Sequence, residues 1–428
     1  MENITFDNSG ELIRVGDCLE TNTVRSWLSA SGTLAKSVIT AEEALQNIKK
    51  HYKSILVDFP TLRIKLITKD NLPHWYYATN EEIQFDNLIK ITEAPHIDDI
   101  PPLHNANEGP LWRVEISQIN DKTKIRVSAS HSIIDGRSLF DLLELFGTYA
   151  LDKCELNERL ENSKNQPALY EYGKKDWFTK EYTDNEIINP YEKADLSNTH
   201  LNPPVDMPSH IINLQWDVAY PPISKFCRKY GVTPQAVLMA IQNEAIRTFN
   251  KGQFDDIPIG IQIAMDSRNS KYATDSLKNS LFFTHAGISV PYMEPEKDLL
   301  ENIKKCTTII KDPTVLKQSC DSVYFIANMR NQKTGAMINT TKFPNPNCYV
   351  FASHIGLVGV GFEDLQFRLH TFVYGKTMYW PNLYGYHNKE TFSFVFEIPH
   401  NTPEGYFESV KNTSMKYYDY IVNNDVKE

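Results

Sequence analysis

His131-Ser132-Ile133-Ile134-Asp135-Gly136 sets an imidazole and a carboxylate four residues apart, with a glycine directly after them. Histidine is the side chain whose ordinary pKa suits proton transfer near neutral pH. A carboxylate at this spacing invites an acid–base pair. Plainer readings compete with it: a neutral histidine of the core, or an aspartate that only caps the next helix.

The flanking residues say what holds this stretch. Lys124-Ile125-Arg126-Val127-Ser128-Ala129-Ser130 alternates polar and apolar residues, the pattern of a half-buried strand. Arg137 to Phe146 carries apolar residues at helical spacing. The motif therefore falls where a strand ends and a helix begins, and such junctions often display catalytic side chains on a rigid support.

The chain has 428 residues, 41% of them hydrophobic and 23% charged. That suits a globular protein of two domains of about 200 residues each. The net charge of −10, without a dense basic run, argues against a nucleic-acid partner. A polyanionic cofactor stays compatible with it, since a local basic pocket can exist on an acidic protein. No apolar run approaches the roughly 20 residues of a membrane span. The acidic start, Met1 to Asp7, does not resemble a secretory signal, and the end, Asn424 to Glu428, shows no lipidation or retention signal. The cytosol is the expected compartment, and sequons at Asn3, Asn339 and Asn412 carry little meaning there. Cys18, Cys154, Cys227, Cys306, Cys320 and Cys348 make no CxxC pair and read as reduced core thiols. The 12 histidines lack ligand spacing, so no metal is expected.

Thr40 followed by Glu43 marks a capped helix running to about Val57, ahead of Pro60. Leu62 to Ile67 and His74 to Ala78 read as strands turning at Asp70-Asn71. Leu111 to Ile116 and Ile125 to Ser128 read as a hairpin across Asn120-Asp121. Residues 157–208 have little periodicity, and Asn202-Pro203-Pro204 breaks any helix, so they read as a crossover with some helix near Trp177. The second half opens on a strand, Ile211 to Trp216, then a helix from Pro222 to Tyr230. Thr233 caps a further helix with Pro234 at its first position. Strands near Ile259–Ile263, Ala286–Val290, Tyr349–Phe351, Leu365–Leu369 and Phe392–Phe396 follow, with a helix over Leu299–Ile310 among them. Mixed helices and strands in both halves predict an α+β fold.

His131 to Gly136 resembles the HxxxDG motif of the acyltransferase superfamily with the chloramphenicol-acetyltransferase fold. Other landmarks follow in that superfamily's order. Phe59-Pro60-Thr61-Leu62-Arg63 is similar to its "hPxLR" stretch, and Gly109-Pro110-Leu111-Trp112-Arg113-Val114 to its "PLfrv" strand. Gly231 to Leu238 resembles the "gvTxndvlla" helix, Met265-Asp266-Ser267-Arg268 the D-x-R, and Ser353-His354-Ile355-Gly356 the S-N-x-G stretch. Together they span residues 30 to 400. The DFGWG motif of the plant branch is absent, His354 stands where Asn is frequent, and no carrier-protein segment follows. The likeness is therefore greatest to free-standing alcohol acetyltransferases.

The resemblance implies two α/β sandwich domains in one pseudo-dimeric chain: residues 1–156 carrying the motif, a linker over 157–208, and residues 209–428. It implies an acyl-CoA co-substrate, direct transfer of an acyl, most plausibly acetyl, group to an alcohol, and His131 as general base. Asp135 would pair with Arg268 and fix the loop, and Gly136 would admit a close approach or an unusual backbone. The oxyanion donor stays open among Ser353, Trp380, Asn382 and Tyr384. Tyr379 to Tyr386 is either the lining of an apolar acceptor pocket or a well-filled strand and turn. N-acylation, condensation with a carrier-bound thioester, and a non-catalytic binding role are the alternatives. A site between the halves of one chain predicts a monomer.

Overall fold

The computed structural model describes residues 4–16, 26–35, 39–69, 72–93, 109–167, 177–180, 211–251, 256, 258–281, 287–289, 291–327, 350–359, 361–371, 382–399 and 405–425. In chain order the first half holds β1 (Leu12–Val15), β2 (Ser26–Leu34), α1 (Ala41–Asp58), β3 (Ile64–Lys69), β4 (Leu72–Tyr77), α2 (Phe85–Leu88) and β5 (Ile89–Ile91). It continues with β6 (Trp112–Ile119), β7 (Lys122–Ser130), α3 (Gly136–Ala150) and α4 (Glu158–Ser163). The second half holds β8 (Ile211–Ala219), α5 (Tyr220–Tyr230), α6 (Pro234–Phe249), β9 (Ile259–Met265), α7 (Asp275–Lys278), β10 (Gly287–Ser289) and β11 (Tyr292–Met293). After these come α8 (Leu299–Ile310), α9 (Pro313–Ala327), β12 (Val350–Leu357), β13 (Phe362–Thr371), β14 (Asn382–His387), β15 (Thr391–Pro399) and α10 (Tyr406–Asp425).

Local chemistry accounts for the elements that matter most. The Thr40 hydroxyl accepts from the Glu43 N–H while the Glu43 carboxylate accepts from the Thr40 N–H, a complete capping box at the start of α1. Thr233 caps α6 with Pro234 in its first turn. Asn120 and Asp121 both take positive φ, 45° and 62°, so the two-residue turn between β6 and β7 twists with its strands. Pro60 to Arg63 is a 3-10 turn, and the strand begins only at Ile64. The expected strand from Leu62 thus starts late: Pro60 sets a helical φ, and the Leu62 carbonyl turns to accept from the Trp112 indole N–H at 2.8 Å.

In the first half the sheet order is β13-β2-β7-β6-β5. Helices α1 and α3 pack against it and each other. In the second half the order is β10-β9-β12-β14-β15-β8, with β11 also on β9, and β9, β12 and β14 run parallel. Helix α6 lies against β12 and β14, with α8 and α10 against α6. The expected α+β architecture of two layered halves is present, each half around its own apolar cluster.

Two findings change the reading. The first sheet takes its edge strand, β13, from the second half, paired antiparallel with β2 from Phe362↔Leu34 to Thr371↔Ser26. A division into residues 1–156 and 209–428 therefore cuts through a sheet. Gly32 and Gly147 make room for this strand: a Cβ on Gly32 would sit 2.8 Å from the Phe362 ring, and one on Gly147 would overlap it. Second, β7 is buried on both faces from Ile125 to Ser130. Its polar residues find partners inside the protein: Ser128 bonds Ser29 at 2.8 Å, Arg126 forms an ion pair with Glu115 at 3.4 Å, and Lys124 donates to Gln366. Polar alternation here marks a hydrogen-bonded interior rather than a wet face.

Of the expected linker, Glu158–Ser163 is helical and Phe178 bridges Ala273; residues 168–176 and 181–210 lie outside the described residues. Cys227, Cys306 and Cys320 are buried thiols, but Cys154 is exposed. Cys18 and Cys348 lie outside the described residues.

Candidate active site

Strand β7 ends at Ser130, and three residues of turn carry His131 out of it. The ring is half-buried, with Nδ1 2.8 Å from the Ile134 carbonyl oxygen. A carbonyl only accepts, so Nδ1 carries the hydrogen and donates, and Nε2 of the neutral ring holds the lone pair. Desolvation pushes the His131 pKa down, against opposing effects of the Ile134 carbonyl and the Asp135 charge. The ring is neutral at physiological pH, as a proton acceptor must be.

Asp135 does two jobs at once. One carboxylate oxygen accepts from the Ser138 N–H at 2.7 Å, capping α3. The other accepts from Nη2 of Arg268 at 2.7 Å. Burial opposes its charge, but the Arg268 guanidinium and the Ser138 amide outweigh this and hold the carboxyl below its usual range. Arg268 also donates from Nε to Asp266 at 2.7 Å and from Nη1 to the Ser138 hydroxyl and the Ser280 carbonyl. The start of α3 in the first half is thus tied to the end of β9 in the second. Gly136 takes an ordinary negative φ, so its lack of a Cβ serves approach rather than backbone freedom: a Cβ would lie 3.3 Å from Ile355 of β12.

A cavity of about 380 Å³ opens between the halves beside His131. Leu28, Asp135 and Arg137 face it from the first half, and Arg268, Phe351 and Tyr384 from the second. Ser353, His354 and Ile355 all line it, although neighbours along a regular strand alternate faces. A bulge explains this: the β12–β14 register slips between His354 and Gly356, where Gly356 takes φ 100°. Gln235 of α6 pins the bulge, accepting from the His354 N–H at 2.6 Å and donating to the Ala352 carbonyl. The His354 ring stacks on His387 at 5.3 Å, and burial next to that ring pushes its pKa down to about 3.

Of the residues singled out from sequence, His131, Asp135, Gly136, Arg268, Ser353 and Tyr384 meet at this cavity. Asn382 does not line it; its amide donates to buried Glu397 at 3.3 Å. Trp380 lies outside the described residues, as do Tyr379 and Pro381. Leu28, Arg137, Arg159, Phe351 and Phe367 were missed. Only Arg137, next to the motif and in the first turn of α3, carried a usable signal. Among the described residues no group of three or more His, Cys, Asp or Glu is placed to hold a metal ion, and no helix is long and apolar enough to cross a membrane.

No protein-family model matches the sequence. No curated protein matches it either. Solved structures match across the whole fold. The epimerization domain from the third module of tyrocidine synthetase B superposes with TM-score 0.65 at 11% identity, covering 99% of this chain and 100% of that one. The trichothecene 15-O-acetyltransferase of Fusarium sporotrichioides gives 0.63 at 10% identity, covering 94% of each chain. A second F. sporotrichioides protein, solved with coenzyme A and T-2, gives 0.60 at 11% identity over 95% of this chain and 98% of its own. The chain therefore has the chloramphenicol-acetyltransferase type of fold, in the two-half form found in acetyltransferases and synthetase domains alike.

Proposed function

We propose that the protein is an acyltransferase that moves a short acyl group, acetyl first among them, from coenzyme A to an alcohol. The observation that carries this reading is a neutral imidazole, fixed through Nδ1, with its site in a cavity that both halves line. Asp135 accepts from the Ser138 N–H and Arg268, and its carboxylate is committed there as a positioning group rather than a proton relay. The likeness in fold to a protein solved with coenzyme A supports the choice of donor.

In the reaction, Nε2 of His131 takes the hydroxyl proton as the acceptor oxygen attacks the thioester carbonyl. The carbon–sulfur bond breaks as the ester forms, and the imidazolium returns the proton to the leaving thiolate. No covalent enzyme intermediate is needed, since a thioester is already activated. Ser353 is the hydroxyl donor within the cavity for the developing oxyanion, since the Tyr384 hydroxyl is engaged by the Glu397 carboxyl. Because the halves of one chain complete the site, we assign the active unit to a monomer, with domains meeting at the cavity.

Incubation with acetyl-CoA and a panel of alcohols, with titration of released thiol, tests the reading. Release that depends on acceptor and vanishes in His131→Ala is the expected result. Release only from a phosphopantetheinylated carrier would move the protein to condensation chemistry, acylation only of amines would make it an N-acyltransferase, and no release from any donor would leave a binding role.

A further inference from the structure

We infer that the Arg137–Arg159 end of the cavity is a subsite for an anionic substituent, carboxylate or phosphate, carried by the acyl acceptor; the inference rests on the acyl-transfer reading above. Both arginines line the same cavity as His131. They converge on one carboxylate: Nη2 of Arg137 lies 3.3 Å from Asp141, and Arg159 donates to it from Nε at 3.2 Å and Nη2 at 3.0 Å. Asp141 is fully buried, while the two guanidinium side chains stay 21% and 37% exposed. Two positive charges thus share one negative charge, and the excess faces the cavity.

The compensating negative charge lies at the other end, where two carboxylates share one guanidinium, so the cavity is neutral in sum but positive at its Arg137–Arg159 end. Asp135 and Asp266 are both bonded to Arg268. His354, which lines the cavity, and His387, stacked on it, are held neutral by burial, and the charge of Arg137 adds to the effect on His387. They add no positive charge, but a neutral imidazole still offers an N–H. Nε2 of His354 and Nε of Arg137 are buried without a hydrogen-bond partner among the described residues. Buried polar atoms left without a partner are rare and costly.

Arg137 also sits where the helix dipole opposes it. It lies in the first turn of α3, at the positive end of the helix dipole, in a turn with no acidic residue. A cation there is set against helix stability and adds to the potential that an anion would meet. The anion's owner follows from length. In an acyl-CoA the whole pantetheine arm separates the thioester from the phosphates. The carbonyl that reacts beside His131 therefore lies a full pantetheine arm away from the phosphates, whereas Arg137 lines the same cavity as His131. The group that meets Arg137 therefore travels with the acceptor.

Thiol release from acetyl-CoA is measured with short hydroxy acids and hydroxyalkyl phosphates, each paired with its uncharged methyl ester. The expected result is a kcat/KM at least about tenfold higher for the anion of each pair, as a charged hydrogen bond supplies. That ratio falls toward one in Arg137→Gln and returns in part in Arg137→Lys. Equal rates for anion and ester, with transfer intact, overturn the inference but not the acyltransferase reading. A preference that instead follows succinyl-CoA over butyryl-CoA, or an Arg137→Gln effect confined to the KM of acetyl-CoA, assigns the charge to the donor and also overturns it. If no thiol is released at all, titration calorimetry of the same hydroxy acids decides. Binding that is weakened in Arg137→Gln upholds the subsite without the reaction, and no binding ends it.

Discussion

At His131 two restraints set the chemistry: a carbonyl that fixes the tautomer and a desolvated setting that keeps the ring neutral. Replacing it with alanine is expected to lower kcat/KM by about 10²–10⁴-fold, the usual contribution of a positioned base, with little change in melting temperature. The direction of its pKa gives the pH dependence. A base whose pKa lies below the ordinary 6.5 is mostly deprotonated near pH 7, so the acid limb of the kcat/KM profile has its midpoint below pH 6.5. A midpoint above 6.5 in the free enzyme would contradict the desolvated ring.

Asp135 gives a separate expectation. Asp135→Ala leaves the buried Arg268 with Asp266 as its remaining carboxylate partner among the described residues, and should cost about 3 kcal/mol in urea denaturation, the lower end for breaking a buried pair. If Asp135→Asn kept full stability and still lost as much activity as His131→Ala, a proton-relay role would replace the positioning one. These residues were legible because the motif is local in sequence and the D-x-R stretch has its own spacing. Arg159, Leu28 and Phe367 were not, since nothing in their neighbourhoods says that distant segments bring them to one cavity.

Strand β13 and the bulge in β12 decide how the halves meet. Phe362 fills the space left by Gly32 and Gly147. Phe362→Ala should therefore destabilise the protein by about 3–5 kcal/mol, read as a lower midpoint in denaturant. Gly147→Val should cost at least as much, because the Phe362 ring has to move. Helices with chemical end signals, such as Thr40 with Glu43 and Thr233 with Pro234, were read to within a residue or two of their starts. The origin of β13 was hidden, since an aromatic strand pattern names no partner. The bulge was hidden too, because Gly356 is one glycine in a stretch that otherwise reads as regular.

Across the molecule, buried titratable groups pull stability in opposite directions with pH. His354 has its pKa pushed down to about 3 by burial, below the ordinary 6.5, so its contribution is present above pH 6.5 and is lost as pH falls toward 3. Glu397 has its pKa raised by burial from 4.5 to about 8, so its contribution is present below pH 4.5 and is lost as pH rises through 8. It bridges the sheets, accepting from the Leu369 N–H of β13 at 3.1 Å. Glu397→Gln should therefore shrink the drop in melting temperature between pH 6 and pH 9; an unchanged drop would mean that the carboxyl is already ionised in the native protein.

The borrowed strand also has a meaning in time. A chain emerges from the ribosome at about 5–20 residues per second, so β2 and β7 are made on the order of tens of seconds before β13 exists. Throughout that interval the β2 edge, which will later hydrogen-bond to Phe362–Thr371, presents bare amides and carbonyls to whatever strand is near. The first half cannot finish early and wait as a closed unit. Newborn chains therefore face their greatest risk of sticking to one another before the second half is made, and holding that edge apart is what a chaperone would have to do for this protein.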